Sequence, residues 1–345
     1  MDKETQAFGL ALPTGINSTT GIAGLTLGGG FGWLSRKHGL TIDNLLSADV
    51  VTAKGELLHA SEKENPDLFW AIRGGGGNFG VVTSFEFRLH PVGPMVTAGL
   101  IVHPFESARQ VIAEYRALAA KAPEDVTCWI VMRKAPPLPF LPPEVHGKEV
   151  IVLALCHVGD PATGEKAVAP YKAIGRPIGV HLGPAPLAAW QTAFDPLLTP
   201  GERNYWKSHD FMELSDGLID VLQDAVRTLP TPQCEIFIAS LGGAINRVAA
   251  DATAYPHRNV EYVMNVHVRW SSPSEDAACL AWGRKMYDAA APFATGGVYV
   301  NFMPEDEAQR VKTGAYGRNF ERLAKLKAKY DPANLFRLNQ NVQPA

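Results

Sequence analysis

Two bunches of glycine dominate the start of this sequence: Gly21, Gly24, Gly28, Gly29, Gly30 and Gly32, then Gly74 to Gly77 with Gly80. Lacking a Cβ, glycine lets backbone N–H groups come close to an anion, and it also takes turns that other residues resist. Turns alone explain an isolated pair. Two bunches of this density point to ligand contact. Context nevertheless argues against the familiar nucleotide loops. Gly75, Gly77 and Gly80 satisfy G-x-G-x-x-G, but the dinucleotide fingerprint follows a strand and opens a helix. Here NPDLFWAI, residues 65–72, predicts a short helix before the run. Val81 to Leu89 predicts a strand after it, with Phe85, Phe87 and Leu89 on one side and Glu86 and Arg88 on the other. No G-K-[ST] follows either bunch, so a P-loop is ruled out.

The remaining patterns mix strands and helices without the regular alternation of a parallel sheet. Ser47 to Ala60 reads as a hairpin turning at Lys54-Gly55. Val96 to Val102 reads as a strand, and Ala108, Val111, Ile112, Tyr115 and Leu118 fall at helical spacing. Pro136 to Pro143 is a proline-rich loop, and Val150 to Val158 is apolar on both faces, as a covered central strand is. Leu214 to Leu229 is an amphipathic helix ending at Pro230. The most regular strand is Val260 to Trp270. Its even positions are Val, Tyr, Met, Val, Val and Trp; its odd positions include Asn265, His267 and Arg269. A last helix carries Phe320, Leu323, Leu326 and Tyr330 on one side and stops at Asp331-Pro332.

Bulk properties narrow the function classes. Net charge is −3, so there is no cationic surplus to neutralise nucleic-acid phosphates or an anionic membrane. The densest basic run, Arg322 to Lys329, reads as the solvated face of a helix. Cys128, Cys156, Cys234 and Cys279 are far apart and form no C-x-x-C, which argues against a zinc site or redox dithiol. They suit small apolar roles in a reducing, cytoplasmic setting. No apolar run approaches the roughly 20 residues needed to span a bilayer, and MDKETQAFG lacks signal-peptide order.

Two long stretches carry a resemblance. They are TTGIAGLTLGGGFGWLSRKHGLTIDNLLSADVVTAKGELLHAS and NPDLFWAIRGGGGNFGVVTSFEFRL. Together they resemble the second half of the FAD-binding domain of berberine bridge enzyme-like oxidases, within the vanillyl-alcohol-oxidase type of flavoproteins. YVNF at Tyr299 to Phe302 and YDPANLFRLNQNV at Tyr330 to Val342 are similar to that family's C-terminal module. The resemblance implies an α+β fold with a partial FAD-binding domain and an inserted substrate domain, an antiparallel sheet backed by helices. The divisions expected are 1–93, 94–298 and 299–345.

It also implies roles. Thr20, Gly21, Ala23 and Gly24, with Gly28, Gly29, Gly30 and Gly32, would follow the FAD pyrophosphate and ribityl chain. Val82 would meet the adenine side. Tyr299 and Asn301 would flank the flavin ring, and Asn339 and Asn341 would lie near its pyrimidine end. An amide donor there suits the negative charge that hydride arrival creates. Some relatives carry a flavin-linking cysteine where this chain has Asn17, and a histidine where it has Leu25. The glycine-rich region whose histidine attaches the flavin precedes the point where this chain begins. FAD is therefore expected to be non-covalent.

The expected activity is oxidation of a small alcohol, sugar or secondary metabolite, with hydride passing to FAD and electrons to O2. Such chemistry needs a C–H held in place and a group to take the adjacent O–H or N–H proton. Tyr299 is the first candidate, as the resemblance implies. His267 and Arg269 are the second, because they share the polar face of one strand and imidazole titrates near neutrality. A dehydrogenase of the same fold, or a binding module without FAD, are the alternatives.

Overall fold

The computed structural model describes residues 1–338 and 340–345. Three antiparallel sheets organise it. The smallest pairs β1 (Leu10–Ala11) with β5 (His90–Pro91). The second has the order β3-β2-β4 and comprises β2 (Leu45–Val51), β3 (Leu57–Ser61) and β4 (Val81–Phe87). Its β2–β3 hairpin turns where Gly55 takes φ +78°, the left-handed region glycine tolerates. Helix Pro66–Ile72 buries its apolar residues beside this sheet before the second glycine bunch.

The third sheet has seven strands in the order β10-β12-β11-β7-β8-β6-β9. They are β6 (Met95–Pro104), β7 (Val126–Lys134), β8 (Glu149–His157), β9 (Gly179–Pro186), β10 (Arg203–Phe211), β11 (Glu235–Ser240) and β12 (Tyr262–Trp270). Period-2 alternation divides its side chains between two faces. Met264, Val266 and Val268 of β12, with Ile236 and Ile238 of β11 and Ile151, Leu153 and Leu155 of β8, pack against four helices. Those helices are Ala108–Ala119, Pro161–Lys172, Asp216–Val226 and Asp276–Ala290. Each presents one apolar stripe. In Asp216–Val226 the stripe is Leu218, Ile219, Leu222 and Val226, and Ser215 caps the start by accepting a hydrogen bond from Leu218 N. β8 is buried on both faces, as its unbroken apolar run requires.

The opposite face of the sheet receives the N-terminal segment. Trp33 stacks on Trp129 of β7 at 4.5 Å between ring centroids, and Trp129 stacks on Phe237 at 5.9 Å. Arg36, 8% exposed, donates to the carbonyls of Val126, Leu241 and Ala122. Arg258 grips Asp43 through two 2.7 Å hydrogen bonds. These buried charges each meet several acceptors, so burial leaves few of their donors unpaired.

The C-terminal helix Phe320–Tyr330 corrects one expectation. Arg322 to Lys329 is not a uniformly solvated face, because Lys327 is fully buried. Its ammonium donates to Asp331 at 2.5 Å, to the Asn78 carbonyl at 2.8 Å and to the Phe336 carbonyl at 2.7 Å. Asp331 in turn accepts from Leu335 and Phe336 N–H. The basic residue therefore staples the chain's end onto the second glycine turn. All four cysteines are buried and unpaired.

Candidate active site

A cavity of about 470 Å³ lies between the open face of the seven-stranded sheet, the Gly15–Leu25 segment and Tyr299–Phe302. Across the Gly15–Leu25 segment lies a second recess of about 670 Å³, which shares Gly15, Asn17, Thr20 and Leu25 as wall. Aromatic rings form much of the first cavity's interior. Phe302 meets Trp206, Phe237 and Tyr299 edge-to-face, with centroids 5.6, 5.8 and 4.8 Å away.

One polar row crosses this face by strand register. Trp206 of β10 lies opposite His267 of β12, His267 opposite Glu235 of β11, and Glu235 opposite Arg133 of β7. Arg133 Nη1 donates to Glu235 Oε2 at 2.6 Å, and His267 Nδ1 lies 3.3 Å from Glu235 Oε1. Burial alone would raise the Glu235 carboxyl, but the Arg133 charge and His267 hold it down to about 2. Burial lowers the His267 imidazole, against the opposing pull of Glu235. A carboxylate can only accept, so the network assigns the proton to Nδ1. Nε2 is then the basic nitrogen. It is buried and has no partner among the described residues.

The expected site residues separate into groups. His267, Tyr299, Asn301, Thr20, Gly21 and Gly24 line the cavity together. The Tyr299 hydroxyl accepts from Gly30 N at 3.0 Å and from Asn301 Nδ2 at 2.9 Å. Burial pushes it up to about 12, so the hydroxyl keeps its proton at neutral pH. Arg269 does not line the cavity; its guanidinium donates to the Leu197 and Thr199 carbonyls and ties that loop to the strand. Val82 is half-buried on β4, outside the cavity. Ala23 lies in helix Ile22–Leu27. The Asn341 side-chain oxygen is buried without a partner, and Asn339 lies outside the described residues.

The first glycine bunch has two physical explanations. A Cβ on Gly28 would lie 2.1 Å from Asn301 Oδ1, and one on Gly32 would lie 1.8 Å from the Thr14 carbonyl oxygen. A Cβ on Gly30 would lie 2.2 Å from Thr41 Oγ1, and Gly29 takes φ +127°, a backbone conformation other residues resist. Those four are small because of the chain's own packing and backbone. At Gly21 and Gly24 an added Cβ would meet nothing within 4 Å, so open space borders them.

Glu235 and Arg133 are the site residues that sequence reasoning missed. Neither sits in a recognisable motif, and only the register of three strands brings them beside His267. Charged residues in otherwise apolar strands are the signal that could have found them.

Comparisons with known proteins follow this geometry. The family model for berberine and berberine-like proteins matches residues 298–343, and one for an FAD-binding domain matches residues 1–61. An FAD-linked oxidoreductase of Dictyostelium discoideum is 33% identical over 349 residues, spanning 100% of this chain and 73% of that protein. The xylooligosaccharide oxidase of Thermothelomyces thermophilus is 30% identical over 352 residues, 94% of this chain and 68% of its own length. The solved structure of Physcomitrella patens BBE-like 1 superposes with a TM-score of 0.85 at 25% identity, covering 99% of this chain and 74% of that one.

Proposed function

Because this chain belongs to the berberine bridge enzyme-like FAD-linked oxidoreductases, a family of enzymes, we propose that its cavity holds a small organic molecule with the reacting carbon between the flavin and His267. The observation that carries the reading is the His267 ring: pinned by Glu235 through Nδ1, its proton affinity lowered by burial, and left with a buried, unpartnered Nε2 on a residue that lines the cavity.

The residues present fit FAD. Open space borders Gly21 and Gly24 at the cavity edge, so a ligand chain can run close to that backbone. The Phe31, Trp33 and Trp129 side chains supply apolar wall. Thr20, Gly21, Ala23, Gly24, Tyr299 and Asn301 are the residues we assign to its surroundings, with Asn341 and Val82 further out. When bound, FAD supplies the hydride acceptor.

The rest falls to the chain. His267 Nε2 takes the proton from the substrate's hydroxyl or amine, and its low proton affinity keeps it unprotonated at neutral pH. Glu235 fixes the ring's orientation, and Arg133 keeps Glu235 ionised. Tyr299, held by Gly30 and Asn301, orients the substrate rather than acting as base. Arg269 ties the loop at Leu197 and Thr199 to β12.

Three further elements belong to the same reading. FAD attaches non-covalently: Asn17 and Leu25 stand at the cavity wall, and His267 is its sole histidine among the described residues. Electrons pass on to O2, with Thr20 between the two recesses as the residue controlling access. The family matches at either end of the chain flank the seven-stranded sheet, which supports divisions at 93/94 and 298/299. No helix among the described residues is long and apolar enough to cross a membrane. The buried, unpaired cysteines support a reducing, cytoplasmic compartment.

The test is reconstitution of the purified chain with FAD, followed by gel filtration and acid precipitation. A visible flavin band that survives filtration and enters the acid supernatant supports non-covalent binding. Anaerobic bleaching of that band by an alcohol substrate, lost in His267→Gln but with FAD retained, supports the base. Bleaching at the wild-type rate in His267→Gln removes the assignment.

A further inference from the structure

The cavity has two ends of different chemistry. Asn17, Thr20, Tyr299 and Asn301 supply polar atoms at one end. At the other, the proline-rich loop after β7 folds back over strands β6, β7 and β8. That end is lined by Leu100, Val102, Val131, Leu138, Leu141 and Val152. Val102, Leu141 and Val152 form a small separate core with Ala135 and Val150, and Leu100, Val131, Leu138, Phe140 and Ile178 pack against it. The loop is closed at its base by Ala135 N donating to the Lys148 carbonyl and Gly147 N donating to the Ala135 carbonyl, both at 2.8 Å.

We propose that this apolar sleeve selects a substrate whose non-reacting part is an aromatic or aliphatic body, and that it rejects carbohydrate. This deepens the oxidoreductase reading above and rests on it. A sugar carries a hydroxyl on most carbons, and each hydroxyl buried without a partner costs roughly 1–3 kcal/mol. None of the six lining side chains can donate or accept a hydrogen bond. The polar groups nearest the sleeve, Arg133 and Glu235, already satisfy one another. An apolar body gains from every contact there, and the cavity's volume suits a ligand of drug-like size. The polar row marks the boundary: the reacting C–O or C–N bond stops beside His267, and the apolar body extends beneath the proline loop.

The experiment is calorimetric titration of the FAD-loaded chain with 4-phenylbenzyl alcohol and, separately, with xylotriose. The aromatic alcohol is expected to bind at least tenfold more tightly, with a negative heat-capacity change. Leu138→Asp places a charge at the loop's inner side and is expected to weaken that binding by about tenfold or more. Leu138→Thr, a milder change on the same loop, is expected to weaken it less. Xylotriose binding as well as or better than the aromatic alcohol overturns the proposal. So does aromatic binding indifferent to both Leu138 variants. Aromatic binding that responds to Leu138 but gives no bleaching of flavin upholds the sleeve and counts against the redox reading, so the two failures are distinguishable.

Discussion

The two faces of the seven-stranded sheet are built from the same strands, yet they answer to different demands. Toward the helices, the middles of β8, β11 and β12 present apolar side chains, and the burial is a packing problem solved by Ile151, Leu153, Ile236, Met264 and their neighbours. Toward the cavity, the alternate positions of the same strands carry Glu235, Asn265, His267 and Arg269. Asn265, His267 and Arg269 are 0%, 3% and 4% exposed, so this is a polar surface kept from water. A buried polar surface costs stability unless each group is paired. The helix face offsets that cost through well-packed apolar contact, and the other face keeps polar groups that packing alone does not require. The unpartnered atoms mark where: Asn265 has neither amide atom paired, and His267 lacks a partner at Nε2.

The contrast can be broken from either side. The largest expected effect is His267→Gln, which removes the proposed proton acceptor while keeping the side chain polar. Turnover should fall by about 10²- to 10⁴-fold, with the melting temperature nearly unchanged; a matched loss of stability would make His267 a packing residue. Next is Glu235→Leu, which strands the Arg133 charge in the wall. Thermal unfolding should report a loss of roughly 3–5 kcal/mol, and turnover should fall as well, because the imidazole loses its orienting partner. On the opposite face, Leu153→Ala should cost roughly 2–5 kcal/mol by leaving a cavity among the helices. The difference from Glu235→Leu lies in the kinetics, since kcat and KM of the remaining folded protein should match wild type.

Acid provides a subtler probe. Burial lowers His209, which stacks on Tyr287, to about 3, and lowers His38, which stacks on His90, to about 4. Each folded-state value lies below that of the unfolded chain. The stability they contribute is complete above about pH 6.5 and is lost as pH falls toward those folded values. The loss approaches about 1.4 kcal/mol per pH unit for each histidine. His209→Gln should flatten the dependence of melting temperature on pH below 6.5; an unchanged slope would assign acid sensitivity elsewhere. The smallest effect is Gly24→Ala. Open space surrounds the position, and helix Ile22–Leu27 should gain roughly 0.5–1 kcal/mol. On the proposed placement of FAD, its affinity measured by fluorescence quenching should nevertheless fall, because the new methyl enters the cofactor's space.

Local pattern carried much of the architecture. The β2–β3 hairpin, helix Ala108–Ala119, strand β8 and the C-terminal helix all follow from turn residues and periodicity within a dozen neighbours. His267 was visible for the same reason, since alternation in β12 separated it from the apolar positions. Glu235 and Arg133 were not, because their proximity depends on pairings between residues 32 and 102 apart in sequence. Lys327 was misread because a lysine in a basic helix looks solvated until Asp331 and two carbonyls close around it. The glycines show a third kind of limit. Sequence shows that a Cβ is missing, but not whether the space beside it is open, as at Gly21, or filled by the chain itself, as at Gly32.

The hydrogen-bonded neck at Ala135, Gly147 and Lys148 divides the substrate wall into two parts with different evolutionary freedom. Inserting or deleting one residue in β7, β11 or β12 would turn Arg133, Glu235 or His267 to the other face, so the polar row can diversify only by substitution. Between residues 136 and 146 the chain leaves and re-enters through the same neck, and each doubling of length costs only about 0.6 kcal/mol. The apolar end of the cavity can therefore change size and shape while the Arg133–Glu235–His267 row keeps its register.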